Sequence, residues 1–228
     1  MKLLLIIPAY NEEDNIVRVV ENIRQNYPFY DYVVINDGSS DQTSAICHRN
    51  GYHIVDLPVN LGLAGAFQTG MKYAYYHGYD CAIQFDADGQ HRPEFIEAMK
   101  EEMKKGYDVV IGSRYVTEKK PWSSRMIGSR MISSAIKLTT GKKIQDPTSG
   151  MRLYNREVFR EFAAGINYGP EPDTVSYLLK QGKKVSEVQV DMDERIAGES
   201  YLNFGRSVSY MLQMLISILL IQNVRKKS

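Results

Sequence analysis

Short apolar runs alternate along this chain with segments of helical spacing, and this alternation most constrains the fold. The first run, Leu3 to Ile7, is apolar at every position, as in a strand that is buried on both faces of a sheet. Between residues 12 and 25, apolar side chains recur every three or four residues, which predicts a helix. The repeated pattern predicts an α/β fold with an open, mostly parallel sheet and helices on both faces.

Five strands and four helices follow from the pattern. The predicted strands are 3–7, 31–36, 53–57, 82–85 and 107–112. The predicted helices are 12–25, a helix that Ser40 or Asp41 caps and that ends near Arg49, 64–77 and 93–104.

Polar or glycine residues follow each of the five predicted strands. These segments are Pro8 to Glu12, Asp37 to Ser39, Asn60 to Gly62, Asp86 to Asp88 and Gly112 to Arg114. Ligands of open α/β sheets bind beyond the carboxyl ends of the strands, so the five segments predict one binding cleft. Taken singly, each segment also fits a turn or a helix cap.

Two aspartates one residue apart end the fourth apolar run. Side chains at positions i and i+2 of a strand lie on the same side, which brings Asp86 and Asp88 together. Two carboxylates so placed can hold one hard divalent cation, with water and substrate phosphates completing its coordination. An ordinary turn is the alternative, because Asp and Gly are common in turns.

Composition excludes several other functions. Lys and Arg total 28 against 27 Asp and Glu, so no net basic charge indicates a nucleic-acid partner. The two cysteines, Cys47 and Cys81, form neither a disulfide framework nor a zinc motif, which fits a reducing cytosol. The glycines at 62, 65 and 70 do not match a dinucleotide or P-loop spacing. The apolar N-terminus is too short for a signal peptide.

Several ordered motifs resemble those of family 2 glycosyltransferases. They are Pro8-Ala-Tyr-Asn-Glu12, Asn36-Asp-Gly-Ser-Ser-Asp41, Asn60-Leu-Gly62, Asp86-Ala-Asp-Gly-Gln-His91 and Gly112-Ser-Arg114. Asp146-Pro-Thr-Ser-Gly-Met-Arg152 and Arg195-Ile-Ala-Gly-Glu-Ser200 resemble elements of dolichyl- and polyprenyl-phosphate sugar synthases, with Met151 replacing the usual Phe. The resemblance implies the GT-A fold and inverting transfer of a sugar from a nucleotide donor.

The resemblance also implies roles for the residues that match. The donor nucleotide would lie against Pro8, Tyr10, Glu12, Asp37, Asn60, Gly62, Asp86 and Arg195. Asp86 and Asp88, with Gln90 nearby, would hold Mg²⁺ or Mn²⁺ on the donor diphosphate. For Arg195, a surface salt bridge is the alternative.

A basic stretch between residues 122 and 140 indicates the acceptor side. Arg130 and Ser134 are four residues apart, so they share a helix face. With Arg114 they would bind the phosphate of a polyprenyl-phosphate acceptor, to which the resemblance also points. A solvated basic face is the alternative.

Two carboxylates are candidates for a general base, Asp146 and Asp173. A hydroxyl acceptor needs deprotonation, whereas a phosphate monoester is already largely anionic at pH 7. Asp173 ends the segment Gly169-Pro-Glu-Pro-Asp173, and its alternative role is the N-cap of the helix that runs through Leu179.

Residues 205–228 predict a surface-binding tail after a catalytic domain of residues 1–204. Residues 207–224 carry no charge, while Arg206, Ser209, Gln213 and Ser217 form one polar stripe. That length is near the lower limit for a spanning helix, and the stripe favours an amphipathic helix. We expect a peripheral protein on the cytoplasmic face of a membrane, with a homo-oligomer or a small integral membrane partner built through this tail. Packing on the domain's own core is the alternative.

Three functions remain open from the sequence. The first is transfer of a sugar from a UDP- or GDP-sugar to a polyprenyl phosphate. The second is extension of a saccharide, for which Asp173 would be essential. The third is a nucleotidyltransferase that forms nucleotide sugars, but it needs a basic glycine-rich loop where this chain has Tyr10 to Glu13.

Overall fold

A seven-stranded sheet with helices on both faces forms the centre of the protein. The computed structural model describes residues 1–87, 89–165, 169–193 and 204–222, without the side chains of 124, 125 and 204–207. The strands are β1 Leu3–Ala9, β2 Asp31–Asn36, β3 Ile54–Asp56, β4 Cys81–Gln84, β5 Val109–Ser113, β6 Arg152–Asn155 and β7 Val185–Gln189. Their spatial order is β3-β2-β1-β4-β6-β5-β7.

Eight helices connect or cover the strands in the described residues. They are α1 Ile16–Asn26, α2 Thr43–Arg49, α3 Gly62–Tyr76, α4 Ile96–Lys104, α5 Ser124–Thr140, α6 Arg156–Ala164, α7 Pro172–Lys180 and α8 Phe204–Ile216. A short 3-10 turn, Pro93–Phe95, precedes α4, and a π-helical turn, Ser217–Ile221, follows α8.

The mostly parallel sheet that the sequence predicts is confirmed, with one exception in its middle. β6 is antiparallel to both of its neighbours, β4 and β5. All other strand pairs are parallel. The five strands predicted from the sequence are β1 to β5. The bounds of β2 match the prediction and those of the other four differ by at most two residues, whereas β6 and β7 were not predicted.

Burial on both faces explains why β1 is apolar at each of its first five positions. Leu4 and Ile6 pack into a core with α3, α5, α6 and α7. Leu3, Leu5 and Ile7 point to the opposite face and pack with α1 and α4. Alternate side chains of a strand face opposite sides, so a strand between two helical layers has no polar position.

The helix predicted from Glu12 begins four residues later, at Ile16. The N–H of Glu12 donates to Thr43 Oγ1 at 2.9 Å and that of Glu13 donates to Asp41 Oδ2 at 3.1 Å. These bonds hold residues 12–14 as a turn against the β2–α2 loop. The N-cap of α2 is Gln42, so the prediction that Ser40 or Asp41 caps it was wrong, although Asp41 Oδ1 accepts from Thr43 N at 2.9 Å.

The C-terminal helix is present and packs on the domain with one face. α8 contacts α5, and the turn after it contacts α5 and α7. Gly128 permits this approach, since a Cβ there would lie 1.7 Å from Met211 Sδ. Ile218 is part of the core. No described helix is long and apolar enough to cross a membrane. The division of the chain at residue 204 stays a prediction.

Replacing Gly70 by alanine should destabilise the protein, because α3 packs on β1 at this position. A Cβ at Gly70 would lie 2.2 Å from Ile6 Cγ2. An exposed helical Gly→Ala change normally stabilises, whereas this one should cost about 1–3 kcal/mol through overpacking. Urea unfolding measures the cost. In an Ile6→Ala background the cost of Gly70→Ala should shrink, and an equal cost in both backgrounds would contradict the contact.

Candidate active site

A cleft of about 590 Å³ opens at the carboxyl ends of β1, β2 and β4. Its lining includes all seven described residues that the sequence predicts for the donor: Pro8, Tyr10, Glu12, Asp37, Asn60, Gly62 and Asp86. The eighth, Arg195, lies outside the described residues. The structure therefore brings four separate strand-end segments into one cleft, and their role as donor ligands stays a prediction.

Two loops that border the cleft are joined by side-chain to backbone hydrogen bonds. The N–H of Asn11 donates to Ser39 Oγ at 3.0 Å, and Asn11 Oδ1 accepts from Ser40 N at 2.9 Å. Asn11 has a positive φ of 54°, a conformation that Asn tolerates better than most residues. The β1–α1 and β2–α2 loops thus form one rigid edge of the cleft.

Asp37 is buried at the base of this edge with a fixed orientation. Its Oδ1 accepts a hydrogen bond from Leu61 N–H at 2.7 Å. Gly38 has φ of 64°, and a Cβ there would lie 2.6 Å from the Asn60 nitrogen, so only glycine allows the two loops to touch. Asn60 Oδ1 in turn accepts from Gly62 N–H at 3.0 Å.

The Asp86 carboxylate is held by neighbours whose positions the sequence did not predict. Gln84 Nε2 donates to Asp86 Oδ1 at 2.9 Å. The Asp86 N–H donates to His91 Nδ1 at 2.9 Å, so the neutral imidazole carries its proton on Nε2, 3.4 Å from Asp86 Oδ2. Gly150 leaves space on the other side, since a Cβ there would lie 3.0 Å from Asp86 Oδ2. The sequence could have indicated Gln84, because it lies two residues before Asp86 and this spacing places both side chains on the same side of a strand.

The charge of the cleft is entirely negative in the described lining. Glu12, Asp37 and Asp86 contribute carboxylates, and none of the described Lys or Arg residues lines the cleft. No cluster of three His, Cys, Asp or Glu side chains suited to a metal occurs among the described residues. Asp88, the second predicted metal ligand, lies outside them.

Asp193, the last described residue before the predicted donor residue Arg195, is bonded to the segment that follows Asp86. The N–H of Asp193 donates to the carbonyl oxygen of Gln90, the third predicted metal ligand, at 3.0 Å. Residues 194–200, which include the Arg195 motif, lie outside the described residues. The last described residues before them therefore touch the segment that the sequence assigns to metal binding.

Arg114 and Asp146, predicted for different tasks, form one ion pair. Arg114 Nε donates to Asp146 Oδ2 at 2.7 Å and Nη2 donates to Oδ1 at 2.9 Å, a bidentate geometry. Asp146 is fully buried, and Thr148 Oγ1 also donates to its Oδ1 at 3.2 Å. Although burial opposes the charge, the bonds to Asp146 raise the pKa of Arg114. This geometry suits Asp146 to holding Arg114 better than to accepting a proton.

Arg130 contacts the segment before α5, and Ser134 is turned towards the backbone of its own helix. Arg130 Nη2 donates to the carbonyl of Lys120 at 2.7 Å, and its guanidinium lies 4.6 Å from the Trp122 ring centroid. The Ser134 hydroxyl donates to the Arg130 carbonyl within their own helix, at 2.9 Å. The sequence missed Lys120, whose Nζ donates to Ser129 Oγ at 2.8 Å.

The buried Arg152 holds the loop 146–150, which lies between Arg114 and Asp86. Arg152 donates through Nη2 to the Pro147 carbonyl at 2.7 Å, through Nε to that of Ser149 at 2.8 Å, and through Nη1 to that of Glu171 at 3.0 Å. Ser149 Oγ donates to the Gly112 carbonyl at 2.5 Å. The loop 146–150 therefore has a fixed course from Arg114 to Asp86.

Asp173 binds the C-terminal segment. Its Oδ2 accepts from Ser217 Oγ at 2.6 Å and from Gln222 Nε2 at 3.2 Å. The N-cap of α7 is Glu171, so the alternative that Asp173 is the N-cap was wrong. Glu171 accepts a hydrogen bond from the Tyr210 hydroxyl of α8. Burial and Glu171 raise the pKa of Tyr210.

The outer faces of α5 and α8 carry exposed apolar side chains. On α5 these are Ile127, Met131 and Leu138. On α8 and the following turn they are Val208, Leu212, Ile216, Leu219, Leu220 and Ile221. Trp122, before α5, is 86% exposed. Packing on the core therefore accounts for one face of the tail helix and leaves an apolar face uncovered by the described residues.

Comparison with known proteins identifies relatives along most of the chain. The family model "Glycosyl transferase family 2" matches residues 4–162. Undecaprenyl-phosphate mannosyltransferase of Micrococcus luteus is 31% identical over 218 residues, which cover 90% of this chain and 89% of the relative. Polyprenol monophosphomannose synthase of Mycolicibacterium smegmatis is 29% identical over 214 residues, covering 88% and 80%.

A solved structure shares the fold at low sequence identity. Glucosyl-3-phosphoglycerate synthase from Mycobacterium tuberculosis, in complex with Mn²⁺ and UDP-glucose, superposes with a TM-score of 0.71 at 16% identity. The match covers 99% of this chain and 80% of that chain. The GT-A fold expected from the sequence is confirmed.

Replacing Asp146 by asparagine should destabilise the protein by about 3 kcal/mol, because it leaves the largely buried Arg114 without its carboxylate. Chemical denaturation measures the change. The matched control is Glu101→Gln, which removes the carboxylate from an exposed pair with Lys104. The control should be silent, and an equally silent Asp146→Asn would show that the buried pair contributes nothing.

Proposed function

This chain belongs to glycosyl transferase family 2, and we propose that it transfers a sugar from a UDP- or GDP-sugar to a polyprenyl phosphate. The transfer is inverting and depends on Mg²⁺ or Mn²⁺. The names of two relatives, an undecaprenyl-phosphate mannosyltransferase and a polyprenol monophosphomannose synthase, support this acceptor class. Membership of a glycosyltransferase family disfavours the nucleotidyltransferase hypothesis.

A single short loop, residues 146–150, borders both the acidic cleft and the basic cluster formed by Arg114 and Arg130. This observation supports the proposal most. Gly150 lies against Asp86 at the cleft. Four residues earlier, Asp146 holds Arg114. A donor diphosphate at Asp86 and an acceptor phosphate at Arg114 would therefore meet across residues 146–150.

The donor side fits a divalent cation because the cleft is acidic. A diphosphate would be repelled by Glu12, Asp37 and Asp86 unless a cation lies between them. Oxygen ligands suit Mg²⁺ and Mn²⁺. Asp86, with Asp88 and Gln90, would hold the ion, whose charge stabilises the departing diphosphate. Mn²⁺ accompanies UDP-glucose in the structural relative from Mycobacterium tuberculosis.

Asp37 and the residues around it would orient the nucleoside. Its carboxylate is fixed by Leu61 N–H and accepts hydrogen bonds only, which suits the N–H of a base or the hydroxyl of a ribose. Tyr10, half exposed at the rim, offers an aromatic face to the base. Arg195 would bind the donor diphosphate.

The acceptor side needs orientation more than proton transfer. An oxygen of the acceptor phosphate attacks the anomeric carbon, the bond from that carbon to the diphosphate breaks, and the nucleoside diphosphate leaves with the electron pair. A phosphate monoester has its second pKa near 6, so the attacking oxygen carries no proton at pH 7. Arg114 and Arg130 would neutralise and align it.

The surroundings of both candidate bases agree with a phosphate acceptor. Asp146 is bound to Arg114, and Asp173 to Ser217 and Gln222. A hydroxyl acceptor would require one of these carboxylates to give up its partners and take a proton. We therefore assign positioning roles to both residues and favour lipid phosphate over saccharide.

We further propose that the exposed apolar faces of α5 and α8 rest on the cytoplasmic surface of a membrane. Exposed Lys137, Lys142 and Lys143 at and beyond the end of α5 suit anionic head groups. The acceptor is itself a lipid, so its phosphate must be reached at that surface. Residues 205–228 would also mediate a homo-oligomer or contact a small integral membrane partner.

Product analysis tests the activity. Purified protein with UDP-glucose, UDP-N-acetylglucosamine or GDP-mannose and a short-chain polyprenyl phosphate should form a sugar phospholipid, and EDTA should stop it. Asp86→Asn should lower turnover at least about 100-fold, the scale for loss of an electrostatic stabiliser. The control Asp80→Asn removes a carboxylate at the opposite end of β4 and should be active. Transfer to a saccharide without lipid phosphate would refute the acceptor.

Vesicle sedimentation tests the membrane surface. Leu212→Glu with Ile216→Glu should lower binding to anionic vesicles by at least about tenfold, since each apolar side chain contributes about 1.5–3 kcal/mol on burial. Phe29→Glu, an exposed aromatic before β2, is the control. Unchanged vesicle binding by the double variant would reject the lipid surface, and a simultaneous loss of oligomers would assign the face to a second copy.

A further inference from the structure

Lys120 is a partly buried cation without a carboxylate partner in the described chain. Its ammonium donates to Ser129 Oγ at 2.8 Å and lies 5.4 Å from the centroid of the Tyr115 ring. Burial lowers the pKa of Lys120, an effect that Asp146 and Glu187 oppose through longer-range attraction. A cation taken out of water without a direct counter-ion is costly, which indicates that an anion belongs at this position.

Positive charge exceeds negative charge around this ammonium. Arg114 lies 5.3 Å from the centroid of the same Tyr115 ring, and Arg130 donates to the Lys120 carbonyl. The two nearby carboxylates are both engaged: Asp146 binds Arg114, and Glu187 accepts from the backbone N–H groups of Gln145 and Asp146 at 2.6 and 2.7 Å. Three cations therefore face two carboxylates.

A chain of hydrogen bonds connects Lys120 to the loop that borders the cleft. Ser129, a buried residue of α5, has its Oγ 3.5 Å from Thr148 Oγ1, which donates to Asp146 Oδ1. Asp146 accepts in turn from Arg114. This series of hydrogen bonds holds the Lys120 ammonium at a fixed distance from residues 146–150. The Lys120 ammonium has three N–H donors, and one of them donates a hydrogen bond to Ser129 Oγ.

We infer that Lys120 is a further phosphate-binding residue, which completes with Arg114 and Arg130 a site for a phosphate monoester. This role rests on the proposed function, because it defines the chemistry of the acceptor. Three oxygens and a charge near −2 can accept from an ammonium and a guanidinium at once. A neutral hydroxyl acceptor would leave the excess positive charge uncompensated, so the site selects for phosphate.

Substitution of Lys120 tests the inference with a neighbour as the control. Lys120→Met should raise the KM for polyprenyl phosphate about 10- to 100-fold, the range for one charge-assisted hydrogen bond, and leave the KM for the nucleotide sugar unchanged. Lys120→Arg should restore most of the affinity. Lys119→Met removes the same charge from the adjacent exposed residue and should change neither constant. Equal effects of Lys120→Met and Lys119→Met would overturn the role.

A binding measurement without turnover separates this role from the proposed function. Inorganic phosphate, titrated by calorimetry onto the full chain, should bind the wild type and Lys119→Met but bind Lys120→Met at least about tenfold more weakly. Phosphate binding that depends on Lys120, with no transfer to polyprenyl phosphate, would keep the site and assign it to a soluble phosphate monoester. Equal phosphate affinity in the wild type and Lys120→Met would overturn the site, even if lipid transfer occurs. Melting curves of each variant check that it is folded.

Discussion

Burial of β1 on both faces is the constraint on which the rest of the structure depends. With helices covering each side of the sheet, the strand has no position for a polar side chain between Leu3 and Ile7. The polar side chains of this segment therefore come after the apolar run, from Tyr10 onward. Parallel β1, β2 and β4 end at the same edge, so Glu12, Asp37 and Asp86 meet there although they are distant in sequence. The acidic cleft follows from the sheet.

The antiparallel strand β6 joins this cleft to the basic cluster. Because β6 runs against β4 and β5, its preceding loop arrives at the same edge as the ends of those strands. Arg152, at the start of β6, holds that loop through the Pro147 and Ser149 carbonyls. Burying an arginine is costly, and here its hydrogen bonds to backbone carbonyls fix the 146–150 loop between Asp86 and Arg114. β6 therefore both joins β4 to β5 in the sheet and positions the loop of the candidate site.

The sequence predicted what depends on local pattern and missed what depends on distant contacts. The apolar runs of β1 to β5 and the periodicity of α1, α3 and α4 predict those elements. β6 escapes notice because its four residues begin with a buried arginine, whose partners are visible only in three dimensions. The motifs likewise named seven of the eleven described residues that line the cleft, but the pairing of Arg114 with Asp146 spans 32 residues. The contacts of Asp173 with Ser217 and of Lys120 with Ser129 have no local signal.

The proposed activity depends most on an acidic cleft that accepts an anionic nucleotide only together with a divalent cation. Isothermal calorimetry of UDP and GDP binding to the wild-type chain, with Mn²⁺ and then with EDTA, measures this directly. We predict that the preferred nucleotide binds at least about 100-fold more tightly with the metal, which corresponds to about 2.8 kcal/mol. Equal affinity in EDTA would show that the cleft tolerates the diphosphate without a cation, and would contradict the account.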